Sequence, residues 1–168
     1  MDPDPGTRSF FREAVSVGLL GAATVALWFF FVDLLNGTPL RTPGILGSAV
    51  FLGISSPDDA VLNATTVGLY SLLHGAVFFL VGVGTTALIR AADRTPNLLV
   101  LFILLTVVLQ ALFVGAVAIV AEFLLGVLAW WAVLVGNFLA SFAMGSLLLY
   151  WHPDTAERLK NAKDIPSS

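Results

Sequence analysis

The chain has no cysteine. That single absence excludes structural disulfides, thiolate metal sites, dithiol redox chemistry and a cysteine nucleophile. Histidine occurs only twice, as His74 and His152. Charge is scarce too: charged residues make up 11% of the chain, where a soluble domain carries about 25%. So few charges cannot cover a globular surface, and a net charge of −3 offers no basic face for nucleic acid. Catalytic signatures are missing as well. The sequence contains no G-x-S-x-G, no H-E-x-x-H and no phosphate-binding glycine loop. No residue is therefore assigned to catalysis or to a metal, and the chain reads as a non-enzyme.

What is present is apolar. Hydrophobic residues account for 58% of the 168 residues, and the mean hydropathy is +0.94. The charges gather at the two ends and in two connections, leaving four runs at about 14–35, 61–89, 98–125 and 127–151. A helix that crosses the bilayer core needs about 20 such residues. Lipid cannot satisfy open backbone groups, and the runs lack the period-2 alternation of a barrel strand. The expected fold is an all-α integral membrane protein with four transmembrane helices in an antiparallel bundle. Residues 1–152 form the membrane domain, and 153–168 form a polar tail that starts as a short helix.

Local chemistry marks the ends of the runs. Asn36-Gly37 is a helix stop. Ser56-Pro57-Asp58-Asp59 predicts the start of the second helix, with a serine cap, a proline in the first turn and two carboxylates at the positive helix end. Thr95-Pro96 repeats the signal for the third. Only Gly126 separates the last two runs, which implies a tight hairpin. The first run exceeds a signal peptide's apolar core and lacks a small-residue cleavage site, so it is expected to be a retained span.

Basic residues set the orientation. Arg8, Arg12, Arg90, Arg94, Arg158, Lys160 and Lys163 fall on one side of the alternating spans, and Arg41 alone falls on the other. The positive-inside rule then puts both termini in the cytoplasm and residues 37–56 outside, in a multi-pass protein of the inner cell membrane. Trp130 and Trp131 match the outer aromatic belt, Tyr150 and Trp151 the inner one.

The outer connection holds an apolar stretch, Pro43 to Gly53, preceded by Thr42. Eleven residues reach only about 16 Å as a helix, too short to cross. The reading is a short interfacial helix at about 43–53; a segment packed on a partner subunit and a re-entrant pore helix are the alternatives. The sequons Asn36-Gly37-Thr38 and Asn63-Ala64-Thr65 both hug a helix boundary, where capping explains them better than glycosylation.

Polar residues inside the runs are the candidate site. Asn63, Thr66, Tyr70 and His74 share one helical face. Centring the runs places His74, Gln110 and Asn137 at a similar depth, with Thr106 and Ser141 on the stripes of the last two. Polar groups in lipid turn inward, so His74, Tyr70, Gln110, Asn137 and Ser141 are expected to form one buried layer, with a neutral His74 bonded to Gln110 or Asn137. Near the outer end, Asp33 and Glu122 read first as interfacial carboxylates that reach water; a self-neutralising cluster of Asp33, Arg41 and Glu122 and a cation-binding vestibule are the alternatives. A bis-histidine haem is excluded, since His152 falls at the cytoplasmic end of its run and cannot reach the depth of His74.

Three functions fit this pattern. The first is a non-enzymatic accessory or scaffolding subunit, held to other membrane subunits or to itself through small-residue pairs such as Gly18 and Ala22, or Gly136 and Ala140. The second is a small channel or transporter that uses the polar layer, with Gly82 and Gly84 as hinges. The third is a pigment- or porphyrin-binding subunit with His74 as single axial ligand. Bound lipid is expected, and no other cofactor is.

Overall fold

Helix formation begins where a serine can cap it. Ser9 is extended, and its hydroxyl accepts the Arg12 backbone N–H at 3.3 Å, so α1 spans Phe10–Leu35, a turn earlier than the apolar run alone predicts. In the computed structural model the described residues are 9–92, 107, 108, 111, 115 and 130–153. Among them every regular element is helical. α2 spans Arg41–Leu52, α3 Ala64–Ala92 and α4 Trp130–Trp151. Three helical stretches are long and apolar enough to cross a membrane: Phe10–Leu35, Ala64–Ala87 and Trp130–Trp151. The expected third span at 98–125, the turn at Gly126 and the tail after Pro153 lie outside the described residues.

α1 ends at Asn36-Gly37, as the sequence predicts. Gly37 has φ +71°, its N–H donates to the Leu34 carbonyl at 3.0 Å, and Thr38 N–H donates to the Asp33 carbonyl at 3.0 Å. These two bonds satisfy carbonyls that a helix end otherwise leaves open. The short helix in the following connection is also present.

Two helix starts differ from expectation. Ser56 does cap, accepting Asp58 N–H at 3.3 Å, but the helix it opens is a single 3₁₀ turn, Pro57–Asp59, that stops at an extended Ala60. The long helix starts later, at Ala64, with Asn63 as its cap. Its side-chain oxygen accepts Thr66 N–H at 2.9 Å, while the Thr66 hydroxyl accepts Asn63 N–H at 3.3 Å. This reciprocal pair satisfies two donors of the first turn, and it engages the side chain of the second sequon. In α2, Thr42 is not the cap but part of the first turn. The cap position is Leu40, in the left-handed conformation at φ +65° and without a side-chain bond to the helix.

α1 lies at the centre of the helix layer. Along its contact with α3, Ala14 lies opposite Gly82, Gly18 opposite Phe78 and Ala22 opposite His74. A methyl group on Gly82 would overlap the Ala14 carbonyl oxygen, and one on Gly18 would lie 2.6 Å from the Phe78 oxygen. The two backbones therefore touch. On its other side α1 meets α4, where Val17, Ala22 and Val25 pack with Ala140, Met144 and Leu148. Gly21 receives the Met144 sulfur from α4 and the Phe78 ring from α3. Nearer the chain reversal, Trp28 donates its indole N–H to the Ala132 carbonyl at 2.8 Å, over a space that Gly136 leaves free.

α2 packs on the start of α3 rather than standing clear of it. A methyl on Gly47 would overlap the Thr66 carbonyl. Ser48, fully buried, accepts Val61 N–H at 3.0 Å and lies within bonding distance of the Gly44 and Val61 carbonyls, 2.9 and 3.1 Å away. α3 runs unbroken through Gly82 and Gly84. Gly82 serves close approach to α1.

Overpacking a closed interface costs about 1–3 kcal/mol. Gly82→Ala is accordingly expected to lower the thermal midpoint of the detergent-solubilised protein. Gly75→Ala, where an added methyl meets nothing within 4 Å, is expected to leave the midpoint unchanged or raise it. Equal loss in both variants would show that the α1–α3 approach is not tight.

Candidate functional site: polar contacts between the helices

His74 sits on α3 between two aromatic rings. Tyr70 stacks on it with centroids 5.8 Å apart and planes at 29°, and Phe78 tilts against its other side at 4.7 Å. The three residues follow one another at four-residue intervals, so they stand as a column on one helical face. His74 Nε2 lies 3.1 Å from the Ala22 carbonyl oxygen. A carbonyl only accepts, so Nε2 carries the proton. Nε2 of His74 thus bonds the backbone of α1; of the two partners that the sequence suggested, Gln110 lies outside the described residues. Depth matching brings side chains to one level; it does not see a carbonyl, which every residue has.

The other expected members of the layer are divided. Asn137 and Ser141 lie together on the buried side of α4, and Ser141 donates its hydroxyl proton to the Asn137 carbonyl at 2.8 Å. Asn137 is itself partnered. Tyr70 belongs to the His74 column and also lies beside Gly47 of α2. Gln110 and Thr106 lie outside the described residues.

At the far end of α1, Asp33 is buried, with 5% of its surface exposed. Its two carboxylate oxygens accept the Thr42 N–H and the Thr42 hydroxyl, each at 2.7 Å. Asp33 thereby supplies, from α1, the cap that Leu40 cannot give α2. An anion at a helix N-terminus is favoured by both the open N–H groups and the dipole. Among the described residues no ion pair joins Asp33 to the exposed Arg41, and Glu122 lies outside them.

The most developed polar cluster was not anticipated. Glu13, in the first turn of α1, is 3% exposed. One of its oxygens, Oε2, accepts Arg90 Nη2 at 2.9 Å and Arg90 Nε at 3.2 Å. His152, one residue past α4, brings Nε2 to 3.6 Å from the same oxygen. The Phe10 ring lies 5.4 Å from the Arg90 guanidinium carbon. One carboxylate thus meets the start of α1, the end of α3 and the end of α4. The signal was available: Glu13, Arg90 and His152 all fall at the same predicted side of the spans. Counting Arg90 toward orientation alone hid its role as a partner.

Among the described residues, no group of three or more His, Cys, Asp or Glu could hold a metal ion. No protein family, curated protein or solved structure matches this chain.

Removing the partner of a buried charge costs more than removing a neutral bond. Arg90→Leu is expected to destabilise by about 2 kcal/mol, a value reduced for the part of Arg90 that water reaches. Adding Glu13→Leu to that variant is expected to restore most of the loss. His74→Leu is expected to cost under about 1 kcal/mol, because the Ala22 carbonyl keeps its place in the α1 hydrogen-bond ladder. His74→Gln, which retains a donor, is expected to cost less still. Thermal unfolding in one detergent ranks all four, and a His74→Leu loss larger than that of Arg90→Leu would reverse the argument.

Proposed function

We propose that the chain is a non-enzymatic accessory or scaffolding subunit, built into a larger membrane complex or a homo-oligomer through its transmembrane helices. The observation that carries this reading is how the polar side chains between the helices are used. His74 bonds to the α1 backbone, Asp33 to Thr42, Ser48 to Val61 and Glu13 to Arg90. Each is spent on holding helices together. The outward faces remain apolar, with Leu72, Leu80, Phe142 and Trp130 among the most exposed side chains. The channel reading, which rests on the midplane polar layer, is the alternative that the flux measurement below addresses.

The architecture completes as an antiparallel four-helix bundle. α3 ends at the Glu13 end of the layer, whereas α4 begins beside Trp28 at the other. This reading assigns the crossing between those two ends to residues 93–129. As a helix they reach about 55 Å, which suffices for one crossing of a core of about 30 Å and not for three. The apolar run 98–125 is that crossing. Both termini lie in the cytoplasm, and residues 37–56 lie outside the inner cell membrane.

Two measurements test these proposals. Purified in lipid nanodiscs without crosslinker, the protein is expected to run above its single-chain mass of 17.8 kDa or to bring partner subunits with it. A lone, monodisperse chain that carries ion flux in liposomes would favour a channel. A visible chromophore lost in His74→Gln would favour a pigment site. For topology, single cysteines at Gly6, Asp59 and Ser168 can be probed in intact cells with an impermeant thiol reagent, free of background because the chain has none of its own. Asp59 is expected to label and the other two to stay silent. The reverse pattern would invert the chain. Ser48, though within the outer connection, is buried and unsuitable as a probe.

A further inference from the structure

Between α1 and α3 the chain carries an apolar strip with charge at both ends. Leu62 lies over Gly44, and Val61 N–H donates to Ser48, so residues 61–62 run alongside α2. Yet Val61 and Leu62 keep 44% and 56% of their surface exposed, and Phe51 and Leu52, at the end of α2, keep 43% and 54%. Arg41, the first residue of α2, is exposed at one end of the strip. Asp58 and Asp59 are exposed toward the other, because Asp59 stands two residues before Val61 and so near Ser48. Ser48 lies about two turns of α2 beyond Arg41, which sets the opposite charges roughly 10 Å apart along the strip. Among the described residues none of the three charges has an ion pair. They also share a level in the membrane frame: Arg41 comes just past the end of α1, and Asp59 just before the start of α3.

We propose that this strip docks a second copy of the chain about a two-fold axis along the membrane normal, an inference that rests on the scaffold reading and names its partner. Two copies in one membrane share their orientation, so such an axis sets groups of equal depth face to face. It turns the strip end for end. Arg41 of each chain then meets Asp58 and Asp59 of the other, while Val61 and Leu62 meet their counterparts near the axis. A basic end and an acidic end on one apolar strip are complementary to the strip's own rotated image. Lipid has no such polarity: headgroup phosphates along the strip would attract Arg41 but repel the two carboxylates. Each chain supplies both signs, so every charged contact is made twice. The apolar centre supplies contact area, and the charges fix register and disfavour a shifted pairing.

The test follows energy transfer between full-length chains, labelled through Ser168→Cys, as phosphatidylcholine liposomes dilute them. Arg41→Asp is expected to move the dissociation midpoint about tenfold toward higher protein density. Asp58→Arg with Asp59→Arg is expected to move it similarly. All three substitutions together are expected to restore most of the association, because the pairs re-form with their signs exchanged. In a second measurement, Val61→Cys is expected to give disulfide-linked dimers under mild oxidation, and Leu19→Cys, exposed on α1, is expected to give few. The chain has no cysteine of its own to interfere. A triple variant as weak as its two parents would overturn the docking. So would wild-type chains that stay single, which would leave the strip to lipid. Subunits that co-purify from cells would in either case still carry the scaffold reading, which fails separately if the chain brings neither copies nor partners.

Discussion

Inside a membrane, apolar side chains gain little by leaving lipid for a neighbouring helix, because the tails are as apolar as leucine. Close contact and polar bonds must do the work that the hydrophobic effect does in water. Here that constraint falls on one surface, the approach of α1 to α3. Gly18 and Gly82 each leave room for a backbone carbonyl of the other helix. With the backbones in contact, His74 can reach the Ala22 carbonyl and Arg90 can reach Glu13. A side chain at either glycine would separate the helices and lengthen both bonds together. The position of α4 depends on the same approach, since Met144 and Phe78 share the space over Gly21.

The two carboxylates of α1 work as a matched pair. Glu13 opens the helix and gathers the ends of α3 and α4; Asp33 lies near its other end and caps α2. Neither is left as a bare buried charge. One is met by a guanidinium and the other by an N–H and a hydroxyl, so each keeps the partners that burial would otherwise remove. The arrangement at the Asp33 end also explains a strained residue. Leu40 adopts a left-handed conformation that costs about 1–2 kcal/mol for a side chain of its kind. The turn is held there because Asp33 fixes Thr42, two residues further on.

Much of the fold was legible from the apolar runs. Three of them became helices that end within three residues of the expected ends, and the short helix between the first two was placed within two residues of its start. Asn36-Gly37 read correctly because a stop depends on its own residues alone. The starts were harder. Ser56-Pro57-Asp58-Asp59 satisfies each local rule for a helix start and still opens only one turn, since Ala60 turns extended and Asn63 with Thr66 offers a reciprocal cap nearer the core. Local signals rank by competition with their neighbours, and that ranking is tertiary.

The polar site shows the same limit more sharply. Sequence patterns assign side chains to faces and depths, so they placed His74, Tyr70, Asn137 and Ser141 inside the layer. They did not give partners, because three of the bonds end on groups without a sequence signature: the Ala22 carbonyl, the Asn137 carbonyl and the Thr42 N–H. The Glu13 cluster failed differently. Its members are charged residues at helix ends, where water is the usual partner. What withdraws Glu13 from water is the nearness of α3 and α4, and the approach of α3 rests on Gly18, between one and two turns along α1, and on Gly82, about two turns before Arg90. In a layer this thin, the chemistry of an end is decided by the packing of the middle.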